Sequence, residues 1–423
     1  MTKRFIFSVA AIAIMLVSCS QNDMEVVNIP TSDAISLSPS TAVTRAGITY
    51  KSHLESGFSV YALTNNPTNW YSEGGNMING IKHHFVNGKW NFDVQNADGI
   101  KWPTNAADYP ITFYAFYPMA GPQGMDVIDN GSVSLDITIQ EKLEEQIDIV
   151  SAKNHANVKP ATASLSLNFN HILSKVNFAV TNTYTHKDDS AFVQAVGFVN
   201  VYQKNVFDVM TQKWTVNGQN ELKDFNYFNW FVPGGAGGTQ PIKELGFDSD
   251  ASLEAFYTAN TNPTLENANM MLLPQTPDKI WVITKTSDEK DRPGNDEAHV
   301  RVMYRYQHNE DENFIGFKNA QNHPNIENSI THKTYTGPLY VYAVFTYVGT
   351  WEEGYGYKYN LPLPGNGGGR LYDDYLYDDK GNRTDLLYPG GEIDKPVITD
   401  DDYIHLIPIV TTWDDLNPEN VQY

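Results

Sequence analysis

The sequence predicts an all-β protein in which two β-sandwiches follow one another along the chain. About a dozen short segments alternate apolar and polar residues or are apolar throughout, and turn-forming residues separate them. The 25 Tyr, 20 Phe, 30 Gly and 22 Pro residues favour strands and turns over helices. Only residues 140–145 and 266–271 suggest a helical turn or two. So many strands exceed the content of one sandwich, and we therefore expect two.

Residues 1–19 have the pattern of a bacterial lipoprotein signal peptide. A basic start at Lys3 and Arg4 precedes a largely apolar stretch over residues 5–17. That stretch is too short to span a bilayer, which needs about 20 apolar residues. Residues 16–19, Leu-Val-Ser-Cys, resemble a lipobox, and Cys19 is the single cysteine of the chain. No intramolecular disulfide can form, and we predict that Cys19 carries the lipid.

The remaining elements follow in chain order. Residues 20–34 are polar and aperiodic, as expected of a tether, and the Asn87-Gly88 pair predicts a two-residue hairpin turn. A polar break at 151–160 predicts the division into a signal peptide (1–19), a tether with a propeptide strand (20–45) and two sandwiches (46–158 and 159–423). The predicted strands cover residues 58–63, 81–86, 89–92, 111–117, 132–139, 163–169, 175–180, 192–202, 206–216, 279–284, 299–306, 339–348 and 404–410.

Charge excludes one large class of partners. The chain has 29 basic and 50 acidic side chains and a net charge of −21. Such a surface repels phosphate backbones, so we expect no nucleic-acid binding. The same charge keeps an exposed protein soluble.

No catalytic, metal or cofactor motif stands out. The glycine-rich segment 365–370 lacks the Lys-Ser/Thr pair of a phosphate-binding loop. His83 and His84 lie side by side in a predicted strand and should point to opposite faces, which disfavours joint metal ligation. The acidic runs at 373–374, 378–379 and 400–402 match no EF-hand spacing. We therefore expect no cofactor and no enzyme, although carboxylates paired only in space leave a surface hydrolase as a third hypothesis.

An ordered set of short segments is similar to the fimbrillin-like family, the type V pilins of Gram-negative gut and oral anaerobes. These segments run along nearly the whole chain. They are the lipobox, 34–38 (AISLS), 44–46 (TRA), 57–62 (GFSVYA), 102–103 (WP), 111–118 (ITFYAFYP), 146–152 (QIDIVSA), 167–176 (LNFNHILSKV), 271–276 (MLLPQT) and 410–413 (VTTW).

The resemblance implies two transthyretin-like β-sandwich domains, an outer-membrane lipoprotein and a place in a surface fimbrium. It also implies cleavage after an arginine, here between Arg45 and Ala46, by an extracellular protease. Loss of the N-terminal strand then opens a groove that a strand of another fimbrial subunit fills, since an unpaired edge is a template for strand addition. Ile35 and Leu37 alternate with serines and are the residues expected to fill the groove before cleavage.

The C-terminal end bears on the position within a fimbrium. The best donor strand is 404–410, in which Pro408 suits an edge strand. The tail beyond Trp413 is polar and shows no alternation. The sequence therefore favours a tip or accessory subunit that accepts a strand and donates none. The alternative is a stalk subunit whose residues 404–410 swing out to donate.

A second hypothesis from another class is a surface glycan-binding lipoprotein that recognises a ligand on a host or bacterial surface. Exposed aromatic rings stack on sugars, and several aromatic residues lie in loops rich in Gly and Asn. These are Trp70, Tyr71, Trp351, Tyr355 and Tyr357. Packing within the loops is the alternative explanation for them.

Overall fold

The computed structural model describes 35–41, 51–65, 68–73, 76–94, 100–102, 110–119, 124–129, 132–141, 145–156, 164–182, 190–215, 220–227, 245–247, 251–252, 269–282, 293–307, 325–327, 334–336, 341–347, 349–363, 370–371, 375–377, 383–387 and 409–412. Almost every element there is a strand, so the all-β prediction is confirmed. A six-residue helix, α1 (Lys51–Ser56), is the exception. Within the described part of the chain, no helix is long and apolar enough to cross a membrane.

The strands, in chain order, are as follows. They are β1 (Leu37–Thr41), β2 (Phe58–Asn65), β3 (Thr68–Trp70), β4 (Ser72–Glu73), β5 (Asn76–Met77), β6 (Asn79–Val86), β7 (Lys89–Phe92), β8 (Ile111–Tyr117), β9 (Met125–Asp129), β10 (Val133–Thr138), β11 (Val150–Ala156), β12 (Leu165–His171), β13 (Ser174–Asn182), β14 (Ser190–Asp208), β15 (Lys213–Trp214), β16 (Asn220–Tyr227), β17 (Leu245–Phe247), β18 (Ala251–Ser252), β19 (Met270–Leu272), β20 (His299–Gln307), β21 (Asn325–Glu327), β22 (Thr334–Thr336), β23 (Val341–Phe345), β24 (Tyr355–Leu363), β25 (Arg370–Leu371), β26 (Tyr375–Tyr377), β27 (Arg383–Leu387) and β28 (Ile409–Thr412).

The first sheet has the order β1-β12-β11-β8-β2-β6-β7, with β3 paired to β2. Its two ends approach each other, because β1 contacts β7 although the two strands lie at opposite ends of that order. The sheet therefore curls around a core that includes Phe58, Val60, Phe113 and Phe169. Strand β1 lies at the seam.

Two further sheets share a second core. One has the order β25-β23-β20-β14-β10-β9, with β15, β16 and β17 on β14, and the other has the order β18-β13-β24-β28, with β19 on β13. Their shared core contains Val196 and Val300 from one sheet and Phe178 and Tyr359 from the other. Three two-stranded sheets, β4-β5, β21-β22 and β26-β27, complete the described pairings.

Strand β8 connects the two cores. Ile111, Phe113 and Ala115 belong to the first core, whereas Tyr114 and Phe116 belong to the second. Both faces of this strand are therefore buried, which explains its continuous apolar sequence.

The predicted hairpin at Asn87-Gly88 is confirmed. Strands β6 and β7 pair from His83–Phe92 to Val86–Lys89 around these two residues. Asn87 has φ 52° and Gly88 has φ 77°. Positive values at both positions define the type I′ turn that suits a two-residue hairpin.

Two local predictions were wrong. Met270 and Met271, at the end of the predicted helical turn 266–271, lie in β19 and pair with Val176 and Lys175 of β13. Burial against a neighbouring strand outweighs local propensity there. Within the predicted strand 279–284, the described residues form only an isolated bridge, from Ile280 to Ala298.

The predicted division near residue 158 stays a prediction, and strand pairing passes across it in both directions. Strand β12 follows that position and pairs with β1 and β11 of the first sheet. Strand β10 precedes it and pairs with β14 of the second sheet.

Candidate functional site

The residues predicted to carry function fall into two groups. Cys19, Arg45 and Ala46 lie outside the described residues. Ile35 and Leu37 are described, and both are buried, with 4% and 0% of their surfaces exposed. They belong to the core of the first sheet, together with Leu167.

Strand β1 lies at the edge of the first sheet, parallel to β12. Leu37 pairs with Leu165 in the register, and the Leu165 amide donates a hydrogen bond to the Ser36 carbonyl at 2.9 Å. Just before the strand, the Ile35 amide donates to the Ile100 carbonyl at 2.7 Å. The segment is thus hydrogen-bonded along its length.

Alternate residues of β1 direct their peptide groups to opposite sides. In a parallel pair the residues that bond to the neighbour alternate with residues whose N–H and C=O point away. Because Ser36 bonds towards β12, the peptide groups of Leu37 and Pro39 point away from it. Pro39 lacks an N–H, and on this side of the strand the missing donor removes no bond to β12.

The peptide groups of Leu37 meet the imidazole of His83, on β6. His83 Nε2 lies 2.9 Å from the Leu37 carbonyl oxygen and 3.3 Å from the Leu37 amide nitrogen. The shorter distance assigns the proton to Nε2, which then donates to the carbonyl. His83 thereby satisfies a backbone acceptor that the edge position would otherwise leave buried and unpaired.

Aromatic rings enclose His83. Its ring centroid lies 4.5 Å from that of Phe92, 5.4 Å from that of Phe58 and 5.7 Å from that of Trp90, to which it is stacked. No part of the His83 surface is exposed. Burial lowers the pKa of His83 from 6.5 to about 4, so the imidazole is neutral at neutral pH.

Together these contacts define a seat, bounded by β12 on one side and by His83 on β6 on the other, with the first core beneath it. The seat binds a strand by its backbone on both edges and by two alternating apolar side chains. Burying the two side chains contributes about 1.5–3 kcal/mol each. The arrangement holds an extended strand by its backbone and by alternate side chains.

The burial of Ile35 and Leu37 was predicted from their alternation, whereas the contact to His83 was not. His83 was considered only as a metal ligand, and it is separated from Leu37 by 46 positions in the sequence. No local pattern indicates such a pairing. As the alternation implied, the neighbouring His84 is less buried than His83. Among the described residues, no group of three or more His, Cys, Asp or Glu side chains is placed to hold a metal ion.

Most of the aromatic residues considered for glycan binding are packed inside the fold. Tyr71, Trp351 and Tyr357 are 6%, 2% and 4% exposed, and half-buried Trp70 packs against the Tyr61 ring. Tyr355 is the one of the five that is clearly exposed, at 37%. It borders an open cleft of about 660 Å³ that is also lined by Trp214, Glu352 and Glu353.

Comparison with known proteins identifies a family model and a relative that this chain matches. Residues 44–369 match the family model described as Fimbrillin-like. The fimbrium subunit Fim1C of Phocaeicola vulgatus is 24% identical over 225 residues, which cover 47% of this chain and 58% of that protein. The chain thus spans little more than half the length of that relative.

Solved structures give similar matches over longer stretches. A fimbrial protein from Bacteroides vulgatus aligns with a TM-score of 0.47 and 14% identity, over 78% of this chain and 95% of that one. A Bacteroides ovatus protein assigned provisionally to cell adhesion aligns with a TM-score of 0.40 and 13% identity, over 82% and 98%.

Proposed function

Since the chain belongs to the fimbrillin-like family, we propose that it is a fimbrial subunit activated by proteolysis: cleavage between Arg45 and Ala46 detaches β1, and a strand of another subunit takes its seat. The subunit reaches the outer membrane as a lipoprotein acylated at Cys19 and is displayed at the cell surface. We assign its two cores, as part of this proposal, to the two transthyretin-like sandwiches that the resemblance implies.

The seat of β1 carries this proposal. Ile35 and Leu37 supply buried side chains to the core, yet Leu37 lies on β1, which among the described strands pairs with β12 only, and Ile35 lies just before this edge strand. Arg45 follows this strand closely, within a stretch of small residues that a protease can thread. Cleavage would separate β1 covalently from the rest of the fold, and displacement of the cut strand would then expose the edge of β12 above an apolar groove.

The net negative charge of the subunits opposes their assembly. Residues 1–45 contain three basic residues and three acidic ones, so the mature chain from Ala46 has the same net charge of −21 as the full sequence. Subunits of like charge repel one another, although salt screens the repulsion. Apolar burial and backbone pairing in the groove therefore drive assembly.

We place the subunit at a tip or accessory position. Strand β28 pairs with β24 from Lys358–Ile409 to Tyr355–Thr412, so residues 409 and 410 of the predicted donor segment pair within the subunit's own sheet. The polar tail after Trp413 offers no alternating strand in its place. The alternative is a stalk subunit in which β28, itself an edge strand, leaves β24 to donate.

An arginine-specific protease tests the proposal. The purified chain is cut and mixed with a cleaved fimbrial subunit that has a free donor strand, and complexes are separated by size under native conditions. Formation of a mixed complex with loss of residues 35–41 supports the proposal. A cleaved chain that keeps this segment and stays monomeric contradicts it.

A second function, glycan binding, is favoured by one observation. The cleft beside Tyr355 combines this exposed ring and Trp214 with the carboxylates of Glu352 and Glu353, which accept hydrogen bonds from sugar hydroxyls. With two carboxylates in the lining, the ligand would be a neutral oligosaccharide. Tyr355→Ala should abolish its binding in titration calorimetry, whereas Phe85→Ala, which removes an exposed ring elsewhere, should not. Equal binding by both variants excludes the site.

A further inference from the structure

We infer that His83 recognises the main chain of whichever strand occupies the seat and makes the retention of that strand sensitive to mild acid. This inference rests on the proposed function and assigns a recognition residue to the same groove. The partner is an extended segment whose carbonyl stands at the position of Leu37.

His83 contacts the backbone of the bound strand rather than a side chain. His83 Nε2 meets the carbonyl oxygen and the amide nitrogen of Leu37, and the leucine side chain lies in the core instead. A strand of different sequence offers the same two backbone groups. His83 can therefore serve the native β1 and an incoming strand alike, while the positions of Ile35 and Leu37 select apolar side chains.

The apolar pocket sets the register, whereas the contact to His83 holds the backbone in that register. The residues whose side chains enter the core are the same residues whose peptide groups face β6. Displacing an occupant by one residue would therefore bring to His83, and into the core, a residue that otherwise points outward. An occupant with alternating apolar residues consequently binds with those residues at the positions of Ile35 and Leu37.

The surroundings of His83 make the contact depend on the neutral imidazole. Rings face it from β2 (Phe58) and from β7 (Trp90 and Phe92), and β1 contributes only backbone at Leu37. Among the described residues, His84 is the ionisable group whose charge acts on it, and that charge lowers the pKa of His83 further. His83 Nδ1 is buried and has no hydrogen-bond partner among the residues that the structure describes. A proton added at Nδ1 would therefore be desolvated and unpaired.

The direction of the pH effect follows. In the occupied seat burial holds the pKa of His83 at about 4, whereas in the empty seat hydration returns it towards 6.5. Between about pH 4 and pH 6.5, His83 is therefore protonated in the empty seat and neutral in the occupied seat. The seat therefore binds the strand with its highest affinity above about pH 6.5, and this affinity falls as the pH drops towards 4. With these two pKa values, binding is about 30-fold weaker at about pH 5 than at about pH 7.5.

Strand binding to the cleaved chain tests the inference. The probe is a synthetic peptide with the sequence of residues 34–41, and its affinity is measured by calorimetry at several pH values. We expect the acid weakening in the parent protein and in the His84→Gln control, which removes the neighbouring imidazole. His83→Gln keeps an amide donor but cannot titrate, so its affinity should be almost independent of pH. An equal pH slope in His83→Gln overturns the inference.

The titration of His83 itself gives an independent readout that needs neither peptide binding nor a variant. Nuclear magnetic resonance titration of the parent protein should show His83 with a pKa near 4 before cleavage and near 6.5 once the strand has been removed. The same ordinary value in both forms overturns the inference. If the peptide binds the cleaved parent protein at no pH, the strand-exchange proposal fails, and the titration of His83 before and after removal of β1 still decides its role.

Discussion

Leu37 is held by three different interactions at once. Its side chain is fully buried in the first core, its peptide groups meet His83, and the neighbouring Ser36 carbonyl accepts a bond from β12. The contacts act together, so an occupant must satisfy all of them to displace β1. Cleavage alone need not release the strand, because a cut changes none of these contacts, and a competing strand is needed to replace them.

Leu37→Ala should destabilise the uncleaved protein by about 2–5 kcal/mol, since it removes buried methyl groups and leaves a cavity in the first core. Ser38→Ala, which changes the partly exposed neighbour, should have a much smaller effect. Urea unfolding followed by tryptophan fluorescence measures both. After cleavage and strand release, the parent protein and Leu37→Ala should unfold identically. A stability difference that persists in the processed form would mean that Leu37 remains part of the mature fold.

At the scale of elements, the sequence predicted strands better than it predicted their partners. The hairpin β6–β7 follows from Asn87-Gly88, whose turn geometry is a local property. The alternation of apolar and polar residues likewise predicted β10. Its pairing with β14, however, joins residues that are distant in the sequence, and no local pattern encodes it. The helical turn predicted at Met270 and Met271 is wrong, because their burial against β13 is a tertiary contact that local sequence does not reveal. The contact between His83 and Leu37 could not be predicted for the same reason.

Deleting residues 414–423 tests the assignment of the last strand. Because β28 ends at Thr412 and pairs with β24, the deletion should leave both the fold and the incorporation into fimbriae intact. Incorporation is measured by immunoblotting the fimbrial fraction against the full-length chain. Loss of incorporation would show that the tail acts as a donor strand. Formation of long homopolymers by the cleaved chain alone would establish the stalk alternative.

At the scale of the whole molecule, segments that carried the family resemblance meet between the two cores. Asp148 Oδ1 lies 2.9 Å from His171 Nδ1, and the Met271 amide donates to the Gln146 side chain at 2.7 Å. These residues come from three separate segments of the ordered set. The order of these segments along the chain indicates the family resemblance. Their contacts with one another are visible only in the fold.

The proposed attachment of the whole molecule to the membrane depends on one residue, Cys19. Cys19→Ala should leave the signal peptide uncut by the lipoprotein signal peptidase and the chain absent from the outer membrane, because no thiol remains to be acylated. Metabolic labelling with palmitate and membrane fractionation measure the change, with the parent chain as control. A variant that labels and fractionates like the parent rules out acylation at Cys19.

The central claim is that the chain enters fimbriae only after β1 has left its seat. The most direct measurement is the N-terminal residue of the protein in purified fimbriae, determined by mass spectrometry for the parent chain and for Arg45→Ala. We predict that the fimbrial form of the parent begins at Ala46 and lacks residues 35–41, and that Arg45→Ala is uncut and absent from fimbriae. A fimbrial form that retains residues 35–41, or that incorporates Arg45→Ala as well as the parent, would contradict the account.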